Sequence, residues 1–162
     1  MKSLAFLMPV FMLAGASFAQ ESSLSSTEEA ELQQTRALLK GAREDILNEE
    51  MRFTEEEETA FWPVYERYQA SLQPVRDRFA VVLVSYTRAY RAGTVTEQQA
   101  NEFVEDYLDI QSEVLDIKKD YLDDFRDALS ARKAARFYQL DNKIETELDY
   151  QLSLIIPLID PV

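Results

Sequence analysis

The side chains of this sequence that could do chemistry are mainly carboxylates. The chain has 30 acidic residues, 17 basic residues, no cysteine and no histidine. Without thiols and imidazoles it cannot form a cysteine- or histidine-based zinc site, a thiol nucleophile or a Ser-His-Asp triad. Two acidic clusters remain, which are Glu55 to Glu58 and the group Asp120, Asp123, Asp124 and Asp127. Such carboxylates could bind a hard cation or serve as acid and base in a hydrolysis.

Neither cluster predicts a specific site. Calcium sites normally use loops with mixed carbonyl ligands, and Lys118, Lys119 and Arg126 lie close to the second cluster. We interpret both clusters as solvated, partly ion-paired helix faces. The spacing singles out no carboxylate pair, and no nucleophile lies beside a base. We therefore expect no catalytic residue, no metal site and no cofactor, with a carboxylate-based cation-binding protein as one alternative.

The N-terminus has the layout of a secretory signal peptide. Lys2 provides a short positive region, Leu4 to Ala16 is apolar, and Ser17-Phe18-Ala19 offers small residues for cleavage. We predict a signal peptide over 1–19, cleaved between Ala19 and Gln20, and a flexible lead-in over 20–26. The apolar run is shorter than the roughly 20 residues that span a bilayer, so we expect no stable membrane insertion after cleavage. An uncleaved anchor is the alternative.

Charge and glycine content exclude further classes of protein. The net charge is −13, and it becomes −14 once Lys2 leaves with the leader. Binding to nucleic acid depends on Lys and Arg neutralising phosphates, so we expect no nucleic-acid partner. Three glycines in the whole chain leave few residues for tight hairpins or glycine-rich phosphate loops.

The elements that must position these side chains are predicted to be helices, in a single all-α domain over 27–162. Each helix begins after a hydroxyl residue suited to an N-cap. Those predicted caps are Thr27, Thr54, Thr96 and Ser130. The first helix should end near Glu50 and the last near Tyr150.

The second predicted helix is long. Its apolar residues recur at alternating steps of four and three, which indicates a coiled-coil-like seam; they are Phe61, Tyr65, Tyr68, Leu72, Val75, Phe79, Val82, Tyr86 and Ala89. Pro63 and Pro74 should bend the helix, and Gly93 should end it. Read locally, Phe79 to Tyr86 could be a strand, but the continuing stripe favours a helix.

The third predicted helix carries a similar stripe with one irregularity. Its members are Ala100, Phe103, Tyr107, Ile110, Val114, Ile117 and Tyr121. A four-residue step from Tyr121 to Phe125 then interrupts the alternation, and such a stutter locally unwinds a supercoil.

Two segments carry more apolar residues than a single helix-packing seam would bury. The first is apolar around the whole helix, and such a segment must be covered on more than one side; it includes Val81, Val82, Leu83 and Val84. The second lies in the C-terminal tail and includes Leu154, Ile155 and Ile156. Both are candidates for a client-binding or dimer surface. The alternative for the first is the centre of the monomer core, and for the second it is docking on the same chain.

A short pattern repeats at three of the predicted helix starts. In each case an apolar residue precedes a hydroxyl cap, and a phenylalanine follows the cap by seven residues. The pattern residues are Phe53 and Thr54, Val95 and Thr96 with Gln99, and Leu129 and Ser130. A hydrophobic staple, a cap and a core aromatic account for the repeat in structural terms.

In an exported helical chain of this size, these cap motifs resemble the Leu-Thr-x-x-Gln motifs of the Spy/CpxP family of periplasmic stress proteins. Val95-Thr96-Glu97-Gln98-Gln99 matches that motif with Val in place of Leu, and the starts at Thr54 and Ser130 match it in part. Ala60 to Tyr65 and Ala135 to Leu140 are also similar to family sequence. The resemblance implies long kinked helices in a helical hairpin, an antiparallel cradle-like homodimer and a periplasmic location.

The resemblance also implies a function based on binding. Family members bind unfolded envelope proteins as ATP-independent chaperones or dampen envelope-stress signalling. We therefore expect a non-enzymatic, chaperone-like protein that binds unfolded envelope proteins through apolar helical surface. The alternative is a dedicated adaptor or inhibitor of one envelope sensor.

Overall fold

The structure of the protein, a computed structural model, describes residues 25–159. Every regular element in that range is an α-helix, which confirms the all-α prediction. The helices are α1 (Ser26–Met51), α2 (Glu55–Ala92), α3 (Glu97–Asp120), α4 (Leu122–Ala128) and α5 (Ala131–Ile155). The predicted signal peptide and residues 20–24 of the lead-in lie outside the described range. None of the helices within it is long and apolar enough to cross a membrane.

The chain divides into two compact units, an N-terminal unit ending at Glu50 and a C-terminal unit beginning at Met51. Among the described residues, the N-terminal unit comprises Ser25 and α1 as far as Glu50. Helix α1 starts two residues earlier than predicted. Its cap is Ser25, whose hydroxyl donates to the Glu28 carboxylate at 2.7 Å and accepts from the Glu28 N–H at 3.4 Å. Ser25 replaces the predicted Thr27 because an acid three residues after the cap completes a capping box. Ala30 occupies that position after Thr27.

The C-terminal unit begins with α2, a helix of 38 residues. Thr54 caps it as predicted, because its hydroxyl accepts from the Glu57 N–H at 3.3 Å while the Glu57 carboxylate accepts from the Thr54 N–H at 2.9 Å. Gly93 ends it with a left-handed φ of 63°, a conformation that glycine adopts without steric strain. Pro63 and Pro74 lie inside α2.

A break at Tyr121 divides the third predicted helix. The Thr96 cap forms a capping box with Gln99 as expected, but α3 ends at Asp120 and the short α4 begins at Leu122. The break coincides with the predicted stutter before Phe125. That phenylalanine is fully buried, so the break lets α4 turn its aromatic residue into the core.

The last helix, α5, follows the predicted Ser130 cap. The Ser130 hydroxyl accepts from the Lys133 N–H at 3.3 Å. Lys133 stands where a capping box needs Glu or Gln, so this cap is one-sided. The helix continues to Ile155, five residues past the predicted end at Tyr150.

Side-chain contacts define how the helices of the C-terminal unit pack. Tyr86 contacts Phe103 and Ser71 contacts Tyr121, so α3 runs antiparallel to α2. Contacts of α2 with α5 proceed in the same direction along both helices, as in the pairs Glu57–Lys133, Tyr68–Asp141 and Arg76–Glu145. The core between them is aromatic, and its fully buried rings are those of Phe61, Tyr68, Phe125 and Phe137.

Candidate binding surface

The cap-motif residues hold the helices that carry the candidate surface. Thr54, Thr96 and Ser130 accept the backbone N–H bonds described above. The apolar residues before them pack inward: the Phe53 ring lies 4.7 Å from that of Phe61, Leu129 is buried and Val95 is half-buried. Phe53 thus acts as the predicted hydrophobic staple. These positions stabilise the starts of the helices.

A buried polar network joins three helices and was not foreseen from the sequence. The Asp141 carboxylate of α5 is 2% exposed. It accepts a hydrogen bond from the Tyr68 hydroxyl at 2.9 Å and forms an ion pair with the Lys118 ammonium group at 3.0 Å. Burial, followed by the charge of Asp141, raises the pKa of Tyr68 above its usual range. Because solvent scarcely reaches Asp141 and Tyr68, the network ties α2, α3 and α5 together and offers no access to a substrate.

The acidic clusters are ion-paired in part. Asp124 pairs with Arg67 at 3.1 Å, and Asp123 pairs with Arg126 at 3.0 Å. Glu57 pairs with Lys133, and that hydrogen bond is the main cause of its lowered pKa. Among residues 25–159, no group of three or more acidic side chains is arranged to hold a metal ion.

Helix α3 exposes an apolar face that sequence analysis missed. Within α3, all of whose residues are described, only Ile110 is buried. Val104, Leu108 and Leu115, here named the α3 stripe, are each more than half exposed, with Leu108 at 58%. Their spacing of four and seven residues is visible in the sequence beside the main stripe. It gave no separate signal, because the main stripe alone accounts for an amphipathic helix.

The candidate residues on α2 divide between core and surface. Val84 is 7% exposed and belongs to the core of the C-terminal unit, so it is unavailable to a partner. This corrects its assignment to the candidate surface. Val81, Val82 and Leu83 are half-buried, and the first two line a groove described below.

The tail residues 152–159 are partly exposed, and one hydrogen bond joins them to α2. The Tyr86 hydroxyl donates to the Pro157 carbonyl oxygen at 2.7 Å. Leu154 and Ile155 are more than half exposed, Leu158 is 88% exposed, and Ile156 is half-buried. We name Leu154, Ile155, Ile156, Leu158 and Ile159 the apolar tail.

Tyr86 contacts a sequence neighbour of the α3 stripe and a residue within the tail segment. The Tyr86 ring stacks on that of Phe103 with centroids 4.5 Å apart, and Phe103 precedes Val104 of the stripe. The same tyrosine binds the backbone of Pro157, which precedes Leu158 of the tail. Tyr86 therefore links the helix that carries the α3 stripe to the segment that carries the apolar tail. Exposed apolar side chains of this kind are candidates for a surface that binds other proteins.

A second surface lies between α2 and α3. It is an open groove of about 800 Å³ whose floor includes Val81, Val82 and Ile110. Its rim carries the carboxylates of Asp77, Asp106, Asp109, Glu113 and Asp116. Among the described residues that line it, Arg78 is the one basic side chain, and it pairs with Glu113. We name this the acid-rimmed groove.

The described part of the chain is thus an all-α protein that exposes the α3 stripe, the apolar tail and the acid-rimmed groove. Comparison of the chain with known protein families, curated proteins and solved structures found no match.

Proposed function

We propose that this protein binds partly unfolded proteins of the bacterial envelope without ATP, as a chaperone-like factor acting by binding rather than catalysis. The observation that carries the proposal is the exposed α3 stripe together with the apolar tail. Binding of a client that covers this apolar surface is favourable by about 25 cal/mol for each Å² removed from water. Unfolded segments expose the apolar side chains that would cover it.

The charge of the chain supports the same function. A net charge of −13 opposes the aggregation of a protein that exposes apolar residues. The acidic faces of α3 and α4 would likewise keep a bound client in solution. The resemblance of the cap motifs to the Spy/CpxP family adds the periplasm as the place of action.

The proposal is tested by dilution of a chemically denatured client into buffer containing a stoichiometric excess of the protein, with light scattering as the readout. We expect the wild type to reduce scattering, and the variant Leu108→Ser/Leu115→Ser to lose at least half of that effect. Both leucines are exposed, so the variant should keep its fold, which circular dichroism checks. Leu38→Ser, at an exposed leucine of α1, is the control and should behave like the wild type.

Two results would overturn the proposal. Wild-type protein that leaves scattering unchanged would exclude general client binding. Capture of one stoichiometric envelope partner without any protection of denatured clients would favour the dedicated adaptor instead.

We further propose that the active form is a homodimer built on the α2–α3 helical hairpin and shaped as an antiparallel cradle. The resemblance to the Spy/CpxP family suggests this arrangement, and Tyr107 supports it, because this residue of the predicted seam of α3 is 39% exposed and an amphipathic helix normally covers its seam. Sedimentation equilibrium at micromolar concentrations should give twice the mass of the chain. A monomer at every concentration up to about 100 μM, well above the micromolar dissociation constants of weak complexes, would contradict it.

A further inference from the structure

We propose that the acid-rimmed groove between α2 and α3 docks a basic, amphipathic helical segment of a polypeptide partner. This inference rests on the proposed function and names the class of segment that the protein selects. The acid-rimmed groove differs from the α3 stripe and the apolar tail in both position and chemistry.

The floor of the groove provides the apolar part of the site. Val81 and Val82 are half-buried and Ile110 lies at the base, 5% exposed. The segment around Val82 is apolar on every side of α2, yet α3 and α5 leave this side open. A groove between two antiparallel helices accepts the apolar face of a third helix, with side chains at steps of three and four residues.

The rim determines the charge of the partner. Five carboxylates and one guanidinium line the groove, and the guanidinium of Arg78 is already paired with Glu113. Asp106 and Asp109 are exposed along one edge of α3. Asp116 pairs with Lys119 at 2.8 Å, so the negative charge that a partner meets at the rim comes chiefly from Asp106 and Asp109. An acidic segment would be repelled by these two carboxylates, whereas lysine or arginine beside an apolar stripe would complement them.

The rim also determines the length of the segment. Asp106 and Asp116 stand ten residues apart on α3, which corresponds to about 15 Å along the helix axis. A helix of about three turns, or 11 residues, covers that distance. A probe of about 14 residues, with leucines at helical spacing and lysines beside them, therefore matches the groove.

The groove and the α3 stripe occupy different sides of α3. Leu108 and Glu113 are five residues apart, which places them about 140° apart around the helix. Substitutions at the rim therefore leave the stripe intact, and substitutions in the stripe leave the rim intact. The two sites can be tested separately in the full chain.

The test is fluorescence anisotropy with the lysine-flanked probe and a matched probe in which glutamate replaces each lysine. We expect the lysine probe to bind and the glutamate probe to bind at least tenfold more weakly. Binding of the lysine probe should weaken as salt is raised from 50 to 500 mM, because salt screens the rim charges.

Charge variants assign the binding to the groove. Asp106→Asn/Asp109→Asn removes two rim charges and should weaken the lysine probe about fivefold, as expected for two exposed ion pairs. Asp120→Asn/Asp127→Asn removes two exposed charges outside the groove and should change binding less than twofold. Equal weakening by both variants, or equal affinity for both probes, would overturn the proposal.

The client assay separates this inference from the proposed function. If the lysine probe does not bind while the wild type still suppresses client aggregation, the groove proposal fails alone. If the probe binds selectively while client aggregation is unaffected, the groove proposal stands and the chaperone-like function fails.

Discussion

The Asp141 carboxyl group lies in the core of the C-terminal unit, where it pairs with Lys118 and accepts a hydrogen bond from Tyr68. Removal of one partner from a buried ion pair leaves an uncompensated charge and typically costs 3–5 kcal/mol. We expect Lys118→Met to lower the free energy of unfolding by about 3 kcal/mol. The double variant Lys118→Met/Asp141→Leu should recover much of that loss, since both charges are then gone. Urea denaturation measures the free energy of unfolding of the wild type and both variants. An unchanged value for Lys118→Met would contradict the predicted coupling.

Two phenol groups of the C-terminal unit make stability sensitive to alkaline pH. Burial raises the pKa of Tyr68 above its usual range and that of Tyr138 to about 12. In the unfolded chain both phenols ionise near pH 10. Unfolding therefore releases protons above pH 10, so their contribution to stability is present below that pH and is lost as pH rises further.

For Tyr68 this loss should approach about 1.4 kcal/mol per pH unit above pH 10. We expect Tyr68→Phe to be less stable at pH 8, because a hydrogen bond to Asp141 is lost, but to show a flatter decline between pH 10 and 11. Urea denaturation at several pH values measures both effects. Tyr150→Phe, at an exposed tyrosine, should retain the wild-type slope. A Tyr68→Phe decline as steep as that of the wild type would refute the assignment.

At the scale of helices, two glycines have opposite roles. Gly93 ends α2 with φ at 63°, where an alanine is strained by about 1–2 kcal/mol. Gly41 lies inside α1 with open space where the Cβ of a larger residue would point, and alanine there favours the helix by up to about 1 kcal/mol. Gly93→Ala should therefore lower the melting temperature and Gly41→Ala should raise it. Shifts in the same direction for both variants would show that backbone conformation at Gly93 does not control the end of α2.

The starts of α2, α3 and α5 and the end of α2 could be predicted because they depend on neighbouring residues. Thr54 with Glu57, and Thr96 with Gln99, form capping boxes from residues three apart. Gly93 follows a basic residue in the last turn of α2. The one misplaced cap, on α1, arose because two hydroxyl residues compete and the acid at Glu28 favours Ser25.

The choice between two apolar stripes on one helix could not be predicted. Tyr107 belongs to the predicted seam of α3 but is exposed, and the α3 stripe was not recognised as a surface. Periodicity shows that a helix has an apolar side; which side is covered depends on distant helices. The pairing of Tyr68 and Asp141, 73 residues apart, is hidden from sequence for the same reason.

Considered as a whole, the molecule combines exposed apolar residues with a large negative charge. The α3 stripe and the apolar tail favour association, whereas a net charge of −13 opposes association between identical copies. A client with basic segments experiences attraction where another copy of the chain experiences repulsion. The charge thus serves both solubility and the selection of partners.

This balance predicts where the protein should associate with itself. The isoelectric pH of the chain is about 4.4, and repulsion between copies vanishes as the pH approaches that value. We expect solubility to fall to a minimum near pH 4.4 and to recover on return to pH 7, with the helical circular dichroism signal retained throughout. Leu108→Ser/Leu115→Ser should precipitate less, because it leaves the charge unchanged and removes apolar surface. Equal precipitation of the wild type and this variant would mean that the α3 stripe takes no part in association, and loss of the helical signal would identify unfolding as the cause instead.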